Sequence, residues 1–240
     1  MACAARVRIG PARQSFWALY LRADGTLRER TRTLRGRGAV ELKRGELRVD
    51  DAGVRLELAL EEGAPVHAHC LHAGGDVWTR KQAGVPARGV LALDGGEERA
   101  LAALAVIDDT AGYHAHRTEW WWSAGVGAGR DGVALAWNLV SGVNDPPRGS
   151  ERAVWVAGAP RECAPVRFRE DLREIASEDG ASVRFSAEAE RSRREKLLLV
   201  KSDYRAPFGS FSDTLPGPLG AGPIALARGL GLVEHHRARW

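Results

Sequence analysis

The stretch Val54-Arg55-Leu56-Glu57-Leu58-Ala59-Leu60 decides the fold class of this chain. Its leucines and valine recur at every second position, which is the period of a β-strand with one buried face. The same period recurs further along the chain, at Val133, Leu135, Trp137 and Leu139 and at Val183 and Phe185. Asp-Gly pairs at 24–25, 131–132 and 179–180 are typical of hairpin turns. These patterns predict an all-β, antiparallel fold, either a barrel or a sandwich.

Helices are expected to be few or absent. The segments 97–107 and 186–199 contain many helix-favouring residues. Each of them nevertheless runs into aliphatic residues that suit a buried strand.

The composition of the chain changes near 108–112, where an aromatic-rich block begins. We therefore divide it into a first β lobe over 1–108 and a second over 109–240, packed against each other.

Composition narrows the class of protein. Of the 240 residues, 44% are hydrophobic and 28% are charged, which suits a globular protein with a buried core. The net charge of +4 comes from arginines scattered among carboxylates, which disfavours nucleic acid as a partner. Cys3, Cys70 and Cys163 form no Cys-x-x-Cys pair, which favours a reduced, cytoplasmic protein. No signal-peptide core and no apolar span of about 20 residues is present.

The densest set of functional side chains lies in Gly112-Tyr-His-Ala-His-Arg-Thr-Glu-Trp-Trp-Trp-Ser123. If the segment is one strand, a single face carries His114, His116, Thr118, Trp120 and Trp122. We expect His114 and Trp120 to share that face. Indoles mixed with a few polar groups are typical of the wall of a ligand pocket. The alternative is that the indoles fill the core and the imidazoles lie at the wet end of the strand.

Other candidate side chains are fewer. Trp78, Arg80 and Lys81 place two cations beside an indole and could meet an anionic head group, with Arg80 near the pocket mouth. Asn138 is a mid-strand amide that needs hydrogen-bond partners if it is buried. The pairs His67/His69 and His114/His116 could in principle offer imidazoles to zinc. Without a supporting motif, we predict neither a metal nor another cofactor.

Several motifs occur together in a recognisable order. They are Trp78-Thr-Arg-Lys81, the block from Gly112 to Trp122, Trp137-Asn-Leu139 with Gly142-x-Asn-Asp145, Tyr204-Arg-x-Pro-Phe-Gly209, and the ending Gly231 to Trp240. From about Arg8 to Trp240 the chain thereby resembles a bacterial family, domain of unknown function 2804. That family is similar to the lipocalin-like proteins that include carotenoid hydratase. The resemblance implies two β lobes and a long apolar ligand.

Three functions follow as hypotheses. The favoured one is binding of an apolar or amphipathic small molecule, such as a lipid or an isoprenoid, by the face that carries Trp120 and Trp122. The second is an enzyme of hydratase or isomerase type, in which Glu119 or Asp109 donates a proton to an alkene and His116 steers water. The third is a structural or interaction protein without a ligand.

The start of the chain carries its own expectation. Members of the resembled family usually have further strands before the Arg8 segment. If those strands are missing here, the segment Phe16 to Leu21 lacks a neighbour on one side. An exposed sheet edge of that kind favours self-association.

Overall fold

The chain is all-β and antiparallel in the computed structural model, which describes residues 1–33, 38–72, 75–197 and 200–239. Within those ranges there are strands and turns but no helix. The strands are β1 Ala2–Ile9, β2 Ala12–Leu21, β3 Thr26–Thr33, β4 Val40–Lys43, β5 Glu46–Asp51, β6 Val54–Leu60, β7 Val66–His72, β8 Gly75–Leu93, β9 Arg99–Gly112, β10 Arg117–Gly129, β11 Ala134–Ser141, β12 Ala153–Val156, β13 Ala159–Glu162, β14 Val166–Phe168, β15 Glu174–Ser177, β16 Ser182–Leu197, β17 Val200–Leu215 and β18 Ile224–Arg239. The predicted fold class is confirmed.

The hairpin signals lie where the chain reverses. Gly25, Gly132 and Gly180 have φ angles of 70°, 82° and 90°. Only glycine adopts this left-handed region without a steric penalty, so these residues permit the tight turns before β3, β11 and β16. The two segments with helix-favouring residues form β9 and β16 instead, because long-range strand pairing outweighs a weak local preference. Of the second segment, Leu198 and Leu199 lie outside the described residues.

The strands form three sheets. The first has the order β1-β2-β3, and the second has the order β4-β5-β6-β8-β7 with β9 also paired to β8. The third has the order β13-β12-β11-β10-β18-β17-β16-β15-β14. In the first sheet, Phe16 pairs with Ala5 on one side and with Thr31 on the other. The expectation that 16–21 lacks a neighbour is therefore wrong, because residues 2–9 supply the strand that covers it.

The chain forms two compact units that interleave in sequence. Unit 1 comprises residues 1–62 and 85–105, and unit 2 comprises residues 63–84 and 106–240. Both β8 and β9 contribute to each unit. The division into lobes at 1–108 and 109–240 stays a prediction about domains.

In unit 1, the indole of Trp17 donates a hydrogen bond of 3.1 Å to the buried carboxylate of Asp51, which Arg32 also binds.

Unit 2 is built around the nine-stranded sheet. The predicted alternation in β11 is confirmed, because Leu135, Trp137 and Leu139 all lie in its apolar core. Trp137 is fully buried and packs edge-on against Phe211, with ring centroids 4.9 Å apart. Gly125 in β10 faces this indole, and a Cβ there would lie 2.2 Å from the ring. The glycine therefore makes room for the largest side chain of the core.

Candidate functional site

The two faces of β10 have different surroundings. Trp121 packs against the apolar core, and Ser123 accepts a hydrogen bond of 3.2 Å from the indole of Trp137. Side chains alternate along a strand, so Thr118, Trp120 and Trp122 project to the opposite side. Trp120 and Trp122 are half-buried there, while Thr118 is buried. This second face of β10 carries the candidate site.

The two histidines before β10 do not belong to that face as predicted. β9 ends at Gly112 and β10 begins only at Arg117, so His114 and His116 lie in the connection between the two strands. The chain must change direction there, which interrupts the alternation on which the prediction rested. Tyr113, in the same connection, is 83% exposed. The prediction that His114 and Trp120 share a strand face is therefore wrong.

A row of aromatic side chains crosses three neighbouring strands beside Trp120. His236 of β18 lies opposite Trp120 on one side and opposite Tyr204 of β17 on the other. The rings of Trp120 and His236 are 4.3 Å apart, and those of Tyr204 and His236 are 5.3 Å apart. The Nε2 atom of His236 lies 2.8 Å from the hydroxyl of Ser202. The row forms one wall of the site.

Glu234 lies next to this row with an unusually basic carboxylate. Trp120 donates a hydrogen bond of 2.8 Å from its indole Nε1 to the Glu234 carboxylate. Burial raises the pKa of Glu234 to about 7, and the hydrogen bonds from Trp120 and Tyr204 offset only part of that rise. The Glu234 carboxyl therefore exchanges its proton near neutral pH, as a general acid or base must.

His236 is shifted in the opposite sense. Burial lowers the pKa of its imidazole to about 4. Its Nδ1 atom lies 3.9 Å from the Glu234 carboxylate. Between about pH 5 and pH 6 the imidazole is neutral and the carboxyl is protonated, so the two groups do not form an ion pair. The imidazole of His236 instead titrates below that range, and the carboxyl of Glu234 titrates above it.

Trp122 is held by a buried amide. Its indole Nε1 donates a hydrogen bond of 2.7 Å to Oδ1 of Asn138. The amide nitrogen of Asn138 in turn donates to the backbone oxygen of Glu151 at 2.9 Å. Asn138 is fully buried, and both ends of its side chain have partners. The predicted requirement for hydrogen bonds at this position is thus met, and the amide fixes the orientation of Trp122.

Lys81 lies on β8 between two carboxylates. Its ammonium nitrogen is 2.6 Å from Asp108 and 3.3 Å from Glu151, and it lies 6.0 Å from the ring centre of Trp122. Burial acts to lower the pKa of Lys81, but the two carboxylates outweigh it and raise the pKa above its usual value. Burial also raises the pKa of Glu151, against the opposing effect of Lys81. The ammonium is therefore charged at neutral pH.

These groups influence Glu234 as well. The negative charge of Asp108 raises the pKa of the Glu234 carboxyl, and the positive charge of Lys81 lowers it. We call Lys81, Asp108, Glu151 and Glu234 the acid cluster. Burial raises the pKa of both Glu151 and Glu234, so these two carboxyls hold a proton more readily than exposed carboxylates do.

Other predicted site residues lie elsewhere. Trp78 and Arg80 alternate with the buried Thr79 and Lys81 and so project from the opposite face of β8, where Trp78 lies 5.8 Å from the ring of His67. Among the described residues, no group of three or more His, Cys, Asp or Glu side chains is arranged to hold a metal ion.

The predicted acids Glu119 and Asp109 differ from Glu234 in their surroundings. Glu119 projects from the far face of β10, where hydrogen bonds from Arg237 and His235 lower its pKa. It is therefore ionised at neutral pH and is a poor proton donor. Asp109 is exposed, and strand alternation points it away from its neighbour Asp108. The role of Glu119 or Asp109 as a proton donor stays a prediction, whereas Glu234 is the carboxyl that lies beside Trp120 with a raised pKa.

The acid cluster contains residues that sequence reasoning missed. Glu234 and His236 lie in the ending Gly231 to Trp240, and their spacing places both on one strand face. Asn144, in the turn after β11, has a left-handed φ of 55°. Its amide also donates a hydrogen bond of 3.2 Å to Glu151. No local pattern singles out Glu151, which is far in sequence from Lys81.

Solved structures with the same fold are known. The chain is similar to kievitone hydratase from Nectria haematococca, with a TM-score of 0.59 at 13% identity, over 98% of this chain and 82% of the hydratase chain. It is also similar to a protein from Nitrosomonas europaea provisionally assigned as ATTH, with a TM-score of 0.50 at 12% identity, over 95% and 82% of the two chains. At these identities the likeness shows a lipocalin-like fold and no more.

Sequence comparison gives the family. Among curated proteins, no sequence matches the chain significantly. The family model described as domain of unknown function (DUF2804) matches residues 71–240. This range includes all the residues of the acid cluster and of the aromatic row beside it. The chain belongs to the family of proteins that contain this domain of unknown function, DUF2804.

Proposed function

We propose that this chain binds a small amphipathic molecule, such as a lipid or an isoprenoid, against the face of β10 that carries Trp120 and Trp122. One observation carries the proposal: two half-buried indoles lie beside Lys81, which forms ion pairs with Asp108 and Glu151, and beside Glu234, which accepts a hydrogen bond from Trp120. Ligand sites in proteins combine apolar walls with a few oriented polar groups. The indoles would contact the apolar part of the ligand, and the acid cluster would contact its polar end.

A buried, unpartnered hydroxyl supports the same location. Thr118 is 5% exposed, and its Oγ1 atom has no hydrogen-bond partner among the described residues. It lies two positions before Trp120 on the same strand face. Leaving a buried polar atom unpaired costs stability, so a ligand hydroxyl or carbonyl that pairs with it would bind more tightly.

The three free cysteines agree with our placement of the protein in the cytoplasm.

Replacement of Trp122 tests the proposal. We expect at least one member of a panel of fatty acids and isoprenoid alcohols to quench tryptophan fluorescence saturably. Trp122→Leu should weaken that binding by about tenfold or more, because a buried aromatic contact commonly contributes more than 1.4 kcal/mol. The matched control is Trp78→Leu, since Trp78 projects from the other face of β8. Equal loss in both variants, with both folded by thermal melting, contradicts the proposed location.

A second candidate function is acid-catalysed hydration or isomerisation of an alkene. Glu234 favours it, because its carboxyl has a pKa of about 7 and is hydrogen-bonded by the indole of Trp120. The solved hydratase with the same fold supports the candidate by analogy. In the hydration, the Glu234 proton adds to one alkene carbon and a water oxygen adds to the other. The water then returns a proton to the Glu234 carboxylate, so the catalyst is regenerated.

Solvent isotope incorporation tests this second candidate. Incubation of an unsaturated isoprenoid alcohol with the protein in D2O should place deuterium on a former alkene carbon. Glu234→Gln should slow that incorporation by about 10²-fold or more, which is the usual contribution of a positioned general acid. Glu119→Gln is the matched control, because Glu119 is ionised and projects from the opposite face of β10. Binding without incorporation in wild-type protein would leave the binding function and reject the enzymatic one.

A further inference from the structure

Four cations lie side by side across neighbouring strands at one end of unit 2. Arg117 of β10 is opposite Arg239 of β18, and Arg239 is opposite Lys201 of β17. Lys201 is in turn opposite Lys196 of β16. All four residues are exposed. Like charges directly opposite one another destabilise a sheet, so this cation row needs an explanation that folding does not supply.

The adjacent row of side chains on the same face alternates between acidic and basic residues. Two positions along each strand, Glu119, Arg237, Asp203 and Arg194 follow one another across the sheet with alternating sign. Arg237 contacts Glu119 at 2.6 Å, and Arg194 contacts Asp203 at 2.8 Å. The positive and negative charges of this second row therefore neutralise one another. The cation row has no such arrangement, because none of its members faces a carboxylate across the sheet.

No carboxylate of the described residues is in contact with the cation row. Among the described residues, none of the four cations lies within 4.0 Å of an Asp or Glu oxygen. The nearest side-chain contact recorded for Arg239 is with Nε2 of His116 at 3.5 Å, which supplies no negative charge. Glu195 is close in sequence, but it contacts Arg193 at 2.6 Å. The positive charge of the row is therefore uncompensated.

Both rows border a single groove. Its volume is about 390 Å³, and six cations and three carboxylates line it. The charged side chains of β10 that line the groove alternate with Trp120 and Trp122, so they project from the opposite face of the strand. Thr118 and Ser202 also line the groove, which therefore borders the ligand face proposed above. An open groove with excess positive charge concentrates anions and raises the rate at which they bind.

We propose that this groove binds a diphosphate group. Several adjacent cations match an anion with more than one negative charge, whereas a single carboxylate would leave most of them unpaired. The planar guanidinium groups of Arg117 and Arg239 match phosphate oxygens in pairs, and Lys196 and Lys201 add point charges. The same group can arrive on a free small molecule or at the head of a lipid, and the experiment distinguishes these sources.

The test uses inorganic pyrophosphate as the probe in calorimetric titration of the full chain. We expect saturable binding that weakens steeply as salt rises. The double variant Lys196→Gln/Lys201→Gln should lose affinity by about tenfold or more, and Arg117→Gln/Arg239→Gln should do the same. The matched control is Arg130→Gln/Arg148→Gln, which removes the same charge from exposed sites outside the groove. The melting temperature without ligand should not fall in the groove variants, because they relieve like-charge repulsion.

A second arm uses phosphatidylcholine vesicles with and without diacylglycerol pyrophosphate, a lipid whose head carries a diphosphate. Pyrophosphate binding without vesicle binding assigns the diphosphate to a free small molecule. Vesicle binding that depends on diacylglycerol pyrophosphate and is lost in the groove variants, together with pyrophosphate binding, assigns it to a lipid head. The proposal is overturned if pyrophosphate does not bind, or if the control variant loses as much affinity as the groove variants.

Discussion

Replacing Lys81 by methionine is expected to lower the free energy of unfolding by about 3–5 kcal/mol, the cost typical of removing one partner from a buried ion pair. Lys81 is 3% exposed and lies 2.6 Å from Asp108 and 3.3 Å from Glu151. The loss arises because the substitution leaves the buried Glu151 carboxylate without its cation. Urea unfolding followed by tryptophan fluorescence measures the effect at pH 7.

Two further variants separate this effect from general disruption. Lys43→Met removes an exposed lysine that lies 3.5 Å from Glu41, and we expect it to cost less than about 1 kcal/mol. Adding Glu151→Gln to Lys81→Met should recover part of the lost stability, because it removes the unpaired charge. If Lys81→Met costs no more than Lys43→Met, the acid cluster does not depend on its ammonium.

Glu234 is expected to make stability depend on pH near neutrality. Its pKa is about 7 in the folded protein, against an ordinary value of 4.5. The folded state therefore keeps a proton that the unfolded state releases between pH 4.5 and pH 7. The contribution is fully present below pH 4.5 and is lost as the pH rises through about 7. Its size is about 3 kcal/mol, since each pH unit of this window is worth about 1.4 kcal/mol.

The measurement compares wild-type and Glu234→Gln stability from pH 4 to pH 8. The difference between them should shift by about 3 kcal/mol across the window, in favour of Glu234→Gln at high pH. His236 acts in the opposite direction, because its pKa is about 4 when folded and stability rises as the pH passes from there to 6.5. Taking the difference between variants reduces that contribution. A flat difference curve would show that the Glu234 carboxyl titrates normally.

Glu119→Gln provides the matched control for this curve. Its carboxyl has a lowered pKa, held down by Arg237, so its contribution is present above the unfolded value of 4.5 and is lost only as the pH falls below it. We therefore expect no slope between pH 4.5 and pH 7 from this residue. Glu234 and Glu119 lie on opposite faces of the same sheet, and we expect them to change the stability of the protein with pH in opposite directions.

Local periodicity was sufficient to predict the fold class. The alternation in Val54 to Leu60 and around Trp137 reflects burial of one strand face, which depends on neighbouring residues along the chain. The same rule correctly grouped Thr118, Trp120 and Trp122. It failed at His114 because a strand boundary lies at Arg117, and boundaries depend on where the chain must turn.

The acid cluster could not be assembled from sequence for a different reason. Lys81, Glu151 and Glu234 lie on separate parts of the chain, and only the pairing of distant strands brings such residues together. The choice of Glu119 as an acid depended on its proximity to the tryptophans in sequence. Its ionisation depends on Arg237, which is opposite it in β18. The pKa of a carboxyl depends on its neighbours in space, and a single sequence does not show which residues these are.

The central claim is that a ligand lies against Trp120 and Trp122, and crosslinking tests it most directly. A fatty acid that carries a photoreactive diazirine on its chain is bound to the wild-type protein, irradiated and mapped by mass spectrometry. We expect labelled peptides from 117–129, 134–141 and 224–239, with competition by the unmodified fatty acid. Labelling confined to residues 1–62, or labelling that the unmodified fatty acid does not reduce, would contradict it.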